Sequence, residues 1–312
     1  MILALVSLAA GLALLVFAGD YLVKGAVGLA ENLGIPPLII GLTIVAFGTS
    51  APEMFVSIQS ALAGAPGIAI GNVVGSNIAN VLIVMGLPAL VASIHADQPG
   101  LGRNVAVMVA FTLGFMLVMN DGMLSRLDGL MLFGALILFI VAQILRAQND
   151  RAAAAEMQTE LAEAPHSAGK IALFIIGGLI GLPIGAQLTV DGATFIARTF
   201  GVSDAAIGLT IVAIGTSLPE LATSFIAAMK RSSDIALGNI IGSNIFNIGA
   251  IMGVTAMIVP VPVDPHFLSF DNWVMLAVAV LLTVICYGEV RTGKRLGAAM
   301  LLAYAAFLVA VF

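Results

Sequence analysis

The chain contains most of itself twice. GLTIVAFGTSAPE, at 41–53, returns as GLTIVAIGTSLPE at 208–220, an offset of 208 − 41 = 167 residues. Nine of the first ten positions are identical. A second pair, GNVVGSNIAN at 71–80 and GNIIGSNIFN at 238–247, keeps that offset. So do Gly25, Gly34 and Gly41 against Gly192, Gly201 and Gly208. Whatever the fold is, it has to seat two copies of one unit against each other.

The unit belongs in a bilayer. The chain is 61% hydrophobic and 9% charged, and apolar stretches of about 20 residues, long enough to cross a membrane, recur throughout. They are continuously apolar rather than alternating, which argues against a transmembrane β-barrel. Hydropathy places about ten spans, at 2–30, 36–63, 68–93, 104–120, 127–147, 169–199, 204–229, 235–262, 272–288 and 295–312. The first has no positive residue ahead of its apolar run, so it reads as a span and not a cleaved signal peptide. The expected fold is an all-α membrane protein of two halves, 1–147 and 169–312, joined by a polar linker at 148–168. Five spans per half is an odd number, so the second half enters the membrane from the opposite side. That is an inverted repeat, common among secondary transporters.

Charge placement agrees. With the N-terminus outside, the inner side carries Lys24, Arg103, Arg146, Arg151, Lys170, Lys230, Arg231, Arg291, Lys294 and Arg295, and the outer side only Arg126 and Arg198. This positive-inside bias predicts a plasma-membrane (inner-membrane) protein with both termini outside and a cytoplasmic linker. The single cysteine, Cys286, excludes an intrachain disulfide.

Each duplicated motif puts a proline and a glutamate inside an apolar helix. Pro52 and Pro219 cannot donate to the carbonyls of Gly48 and Gly215 and crowd them. The helices are expected to be discontinuous there, with free carbonyls near Ala46, Phe47, Ala213 and Ile214. Such backbone survives in a membrane only against protein or a wet cavity. Glu53 and Glu220 each cost roughly 2.5–3.5 kcal/mol in a span, and neither motif contains a lysine or arginine. Thr49, Glu53 and Ser57 fall on one helical stripe, as do Thr216, Glu220 and Ser224. Asn72, Ser76 and Asn80 form another, repeated by Asn239, Ser243 and Asn247. Asn72 and Asn239 are expected mainly to stitch helices. Asp20 and Lys24 read as a local ion pair, with Asp191 in the matching place of Lys24.

All these donors are hard oxygens, with no histidine or cysteine nearby, which disfavours zinc, copper and iron. Calcium takes 6–8 such oxygens, and sodium, of nearly the same radius, competes for the same ligands. Magnesium fits less well, since it sheds water reluctantly. No nucleotide motif, cofactor site or nucleophile accompanies the acids, so neither an enzyme, an ATP-driven pump nor a nucleic-acid binder is indicated.

The GTSAPE/GTSLPE and GNVVGSNIAN/GNIIGSNIFN pairs resemble the two α-repeats of the cation/calcium antiporter superfamily, in its sodium/calcium exchanger branch and of prokaryotic type. The resemblance implies exchange of Na+ for Ca2+ by alternating access, with Glu53 and Glu220 as central ligands. It adds Thr49, Ser50, Thr216, Ser217, Ser76 and Ser243 as further oxygens. It also adds the carbonyls of Ala46 and Ala213 for flanking sodium, and Asn80 and Asn247 in the central layer. Asparagine at both last positions points to potassium independence. A proton-coupled or potassium-dependent exchanger is the alternative, and a passive cation channel a further one.

Overall fold

The computed structural model describes residues 1–149, 167–201 and 213–311. The expected linker therefore lies almost wholly outside the described residues, as does the first part of the expected span 204–229. The rest is nearly all helix. In chain order the helices are α1 (Ile2–Leu33), α2 (Pro37–Thr49), α3 (Ala51–Leu62), α4 (Pro66–Ala89), α5 (Leu101–Met119) and α6 (Arg126–Ala147). The second half supplies α7 (Ala168–Thr199), α8 (Ala213–Thr216), α9 (Leu218–Met229), α10 (Ser233–Ile258), α11 (Phe267–Tyr287) and α12 (Lys294–Val311). Among the described residues, 8 helices are long and apolar enough to cross a membrane, or 9 with α2 and α3 taken as one bent span. α9 is a shorter apolar helix that follows α8 at the same kind of break. Each expected span with described residues coincides with a helix to within about five residues.

Prolines and glycines set the ends. Pro37 and Pro66 sit in the first turns of α2 and α4, where a missing N–H costs nothing. α1 stops at Gly34, whose φ of 62° closes the last turn onto the carbonyls of Ala30 and Glu31. Two small antiparallel contacts tie loop ends together: β1 (Met123–Leu124) with β2 (Val261–Pro262), and Ile94 with Thr292.

The buried centre is made by α4 and α10, the two helices that carry the asparagine motifs. α10 is the most hidden span, with 89% of its apolar window buried, yet it is among the less hydrophobic. Burial here follows from packing on all sides and not from apolarity. One large hydrophobic cluster joins α4 and α10 to α5, α6, α11 and α12. A second, separate cluster joins α1 and α7 to α9 and the first turn of α10.

α1 and α7 pack on each other along their length through small residues seven positions apart. Gly11, Ala18 and Gly25 on α1 are the repeat mates of Gly178, Gly185 and Gly192 on α7. A side chain added at Gly178 would meet the Leu22 Cβ at 2.6 Å and the Ala18 carbonyl at 2.9 Å. Small residues on one face let the two backbones approach closely. Gly178→Leu should therefore cost about 1–3 kcal/mol or more by overpacking, while Gly177→Leu, on the exposed face, should be nearly neutral. Thermal unfolding of both variants in detergent checks this.

Candidate functional site

The polypeptide breaks where each Pro-Glu pair falls. In the first half α2 ends at Thr49, Ser50 takes φ −84° and ψ 6°, and α3 leaves at 44°. In the second, Ser217 takes φ −85° and ψ 5° between α8 and α9. Each proline thus lies in the first turn of a new helix, and Glu53 and Glu220 lie in those first turns too. There the helix dipole favours negative charge. The expectation of freed carbonyls needs correction at two places. The Ala46 carbonyl accepts the Ser50 N–H at 3.1 Å and has the Thr49 hydroxyl 3.4 Å away. The Ile214 carbonyl accepts the Ser217 N–H at 3.1 Å. These are ordinary i+4 and i+3 backbone bonds; the carbonyls that lose a donor to the prolines are those of Gly48 and Gly215. The Thr49 hydroxyl has a single hydrogen, which its shorter contact gives to Asn239 Oδ1 at 3.1 Å, so the Ala46 carbonyl keeps one of its two lone pairs.

Each motif pair is stitched in the same way. Asn72 donates to the Glu53 carbonyl at 3.0 Å and to the Ser57 hydroxyl at 2.9 Å. Asn239 donates to the Glu220 carbonyl at 3.2 Å and to the Ser224 hydroxyl at 3.0 Å. The structural reading of Asn72 and Asn239 is the one the geometry supports. Bonds also cross between halves. Thr49 donates to the Asn239 side-chain oxygen at 3.1 Å, and Ser50 donates to Glu220 Oε1 at 2.9 Å.

Asn77 and Asn244 take part as well, though their neighbours drew attention in the sequence and they did not. Asn80 donates to Asn244 Oδ1 at 3.4 Å, and its mate Asn247 donates to Asn77 Oδ1 at 2.9 Å. A pair and its exchanged mate form together only about a two-fold axis, so the halves meet as inverted repeats around this ring. The signal was present as the Asn-x-x-Asn spacing of both motifs. Asn80 and Asn247 also open π-helical turns, at Asn80–Val84 and Asn247–Met252. Such wide turns frequently mark functional sites, and no composition signal announces them. α3 packs on the π turn that starts at Asn247, and α9 on the one that starts at Asn80.

The result is a set of buried oxygens without partners. Glu53 and Glu220 are each 1% exposed. Among the described residues Glu53 Oε2, Glu220 Oε2, Asn80 Oδ1, Asn247 Oδ1, Ser217 Oγ and Ser243 Oγ have no hydrogen-bond partner. The amide groups of Asn80 and Asn247 spend an N–H on a neighbouring asparagine, which leaves the oxygen to offer. Ser76 is buried beside Asn77 on α4, Thr216 ends α8 and Ala213 begins it. No cluster of three His, Cys, Asp or Glu side chains exists among the described residues, so the charge of this cage comes from two carboxylates. Orphaned buried oxygens are costly.

Other sequence expectations fall away from the site. Asp20 pairs with Lys24 at 3.2 Å and also with Lys230 at 2.9 Å. Asp191 accepts the Gln187 amide at 2.8 Å instead of an ion pair, because its i−4 neighbour is neutral. His266 lies 2.7 Å from Asp271 with 55% of its side chain exposed. Trp273 and Tyr287 are exposed near span ends, as interface anchors are.

Comparison with known proteins places the chain among cation/Ca2+ antiporters. The family profile for sodium/calcium exchanger protein matches residues 3–145 and 170–312. The putative antiporter CaxA of Alkalimonas amylolytica is 41% identical over 100% of this chain and 99% of its own. The sodium/calcium exchanger MaX1 of Methanosarcina acetivorans is 32% identical over 97% and 96%. At lower identity, 26% over 90% and 86%, stands the Ca(2+)/H(+) antiporter ChaA of Bacillus subtilis. A solved structure of the sodium-calcium exchanger NCX_Mj superposes with a TM-score of 0.85 at 32% identity, covering 99% of this chain and 98% of that one.

The stitching makes a prediction of its own. Asn239→Leu would leave the Glu220 carbonyl and the Ser224 and Thr49 hydroxyls short of partners, at about 1–3 kcal/mol for each group left unsatisfied. Its unfolding temperature should fall by several degrees, read by intrinsic fluorescence in detergent.

Proposed function

The chain belongs to the sodium/calcium exchanger protein family, and we propose that it exchanges Na+ for Ca2+ across the membrane through one shared cage. Cation/Ca2+ antiport is the family's activity, and the protein is a multi-pass membrane antiporter and not a catalyst. The two halves, 1–147 and 169–312, supply the cage in equal parts. Glu53 and Glu220 bind the calcium centrally, and Asn80, Asn247, Ser76 and Ser243 complete that layer. Thr49, Ser50, Thr216 and Ser217, with the carbonyls of Ala46 and Ala213, hold the flanking sodium ions. The observation that carries this reading is the set of six partnerless buried oxygens, two of them on carboxylates. Two negative charges balance one divalent ion or two monovalent ones, so occupancy by either is near neutral and occupancy by neither is not. Competition of that kind is what couples the two fluxes.

The route to the cage is one-sided. α1 lies along α9, with Leu218, Ala222 and Ile226 packed into the α1–α7 cluster. The repeat mates of Ile214, Leu218 and Ala222 are Phe47, Ala51 and Phe55, and all three are exposed, Phe55 at 68%. With the N-terminus outside, α9 is the inner half of its span and α3 the outer half. The cage then opens outward and is closed inward, with Asp20 and Lys230 clasped across the closed side. Sliding of the α1–α7 pair past the core would exchange the two arrangements.

The second reading, proton coupling, is favoured by the likeness to a Ca(2+)/H(+) antiporter. Calcium uptake into proteoliposomes decides between them. An imposed sodium gradient should drive uptake, a pH gradient alone should not, and Glu53→Gln and Glu220→Gln should each lower the rate at least about 100-fold. Uptake driven by pH alone would establish the proton reading.

The clasp is tested separately. Phe55→Cys should be modified readily by a membrane-impermeant thiol reagent, against the low background of buried Cys286. Adding Asp20→Asn removes an ion pair of about 0.2–1 kcal/mol, so modification should slow by up to about fivefold as the outward arrangement loses population. An unchanged rate would show that the pair does not hold the inner side shut.

A further inference from the structure

At the end of the molecule where α4, α9 and α11 finish, three loops surround a cavity of about 510 Å³. Ser93, His95, Arg231 and Arg291 supply its polar lining. Val91 and Met229 line it too, and they are 61% and 57% exposed to the surroundings. The cavity therefore has a cationic wall beside an apolar lip at the height where apolar spans end.

The walls are tied in place. Ile94 and Thr292 exchange backbone hydrogen bonds of 3.0 and 2.9 Å. The His95 N–H donates to the Ser233 hydroxyl at 3.2 Å. Among the described residues neither Arg231 nor Arg291 has an ion pair, so both guanidinium groups keep their donors for something else.

The repeat supplies an internal control. Arg231 closes the end of α9 with φ 61°, and its N–H reaches the Ala228 carbonyl while that of Ser232 reaches Ala227. Gly64 closes α3 with φ 77°, through the mate bonds to Ala61 and from Ala65 to Ser60. The same cap is thus built once with glycine, which adopts this conformation freely, and once with arginine, which is strained in it. Arg231 thus holds a strained turn that its mate builds without strain. The mates of Ser93, His95 and Arg291 are Pro260, Pro262 and Leu124, so the opposite end of the molecule has none of this polar lining. Glu289 also stands at a left-handed position, φ 48°, where the first half has Gly122. It is not part of the cavity wall.

We propose that this cavity is a binding site for the phosphate headgroup of an anionic phospholipid, held by Arg231 and Arg291 with His95 and Ser93 beside them. Planar guanidinium groups suit phosphate oxygens, and basic pockets between spans at a membrane surface suit lipid headgroups. The apolar lip at Val91 and Met229 favours a lipid over a soluble phosphate, because it offers the acyl chains a surface. The cavity also touches the last turn of α9, next to Lys230, so an occupant would sit beside the clasp with Asp20.

Native mass spectrometry of the intact protein, released from an equal mixture of phosphatidylglycerol and phosphatidylcholine, tests this without reference to coupling ion or orientation. The wild type should retain phosphatidylglycerol in preference. Arg231→Gly, which installs the residue of the sister turn, and Arg291→Leu should each lower that retention by about fivefold. Glu289→Gly, which relieves similar strain without removing a cation, should leave it unchanged. Equal retention of the two lipids by the wild type, or wild-type retention by Arg231→Gly and Arg291→Leu, would overturn the proposal. So would thermal stabilisation by inorganic phosphate in phosphatidylcholine alone, abolished by Arg231→Gly, with no phosphatidylglycerol retained. That outcome would assign the cavity to a soluble phosphate compound.

Discussion

Two carboxylates at the centre of an apolar bundle, each with an oxygen that no protein group satisfies, govern the rest of this structure. Glu53 and Glu220 are buried to 1% exposure, and Oε2 of each lacks a partner among the described residues. A bilayer protein tolerates that arrangement only if something else repays the desolvation. The surrounding helices are built to keep the carboxylates in place and unpaired. Asn72 and Asn239 hold the two helix starts by their backbone carbonyls and leave Oε2 of both carboxylates uncommitted. In the asparagine ring Asn80 and Asn247 donate to the oxygens of Asn244 and Asn77 and keep their own oxygens free of protein partners.

The duplication explains why one site has two faces, and the departures from it explain direction. The ring of Asn77, Asn80, Asn244 and Asn247 obeys the two-fold relation. Ser50 reaches Glu220, whereas the mate hydroxyl of Ser217 has no partner. α1 covers α9, while the mate face on α3 stays bare. Under the proposed exchange, the symmetric asparagine ring serves both sides of the membrane alike. The uncovered face of α3 gives access from one side. The Asp20–Lys230 pair fits this division, since Gln187 and Ala63 at the mate positions cannot form it.

Much of this was legible in the sequence because it depended on chemistry repeated at fixed spacing. The inverted repeat followed from an odd number of spans per copy, and the two acids followed from their cost in hydrocarbon. Asn72 and Asn239 were legible as stitches for the same reason. What escaped was what depends on three-dimensional packing. Asn77 and Asn244 sit one residue off the polar stripe and enter the ring only because α4 and α10 cross there. The π turns at Asn80 and Asn247 leave no mark in composition. The Ala46 carbonyl was expected to be free, but the backbone at Ser50 turns tightly enough to use it. Lys230 was legible only as an inner-side charge, and tertiary structure alone brings it to Asp20.

The central claim is that calcium and sodium compete for one cage that depends on both carboxylates. Equilibrium binding of radioactive calcium to the purified protein tests it most directly. The account predicts calcium bound by the wild type, displaced cooperatively by sodium, and lost in both Glu53→Gln and Glu220→Gln. Calcium binding that ignores sodium, or that survives in either variant, would contradict it.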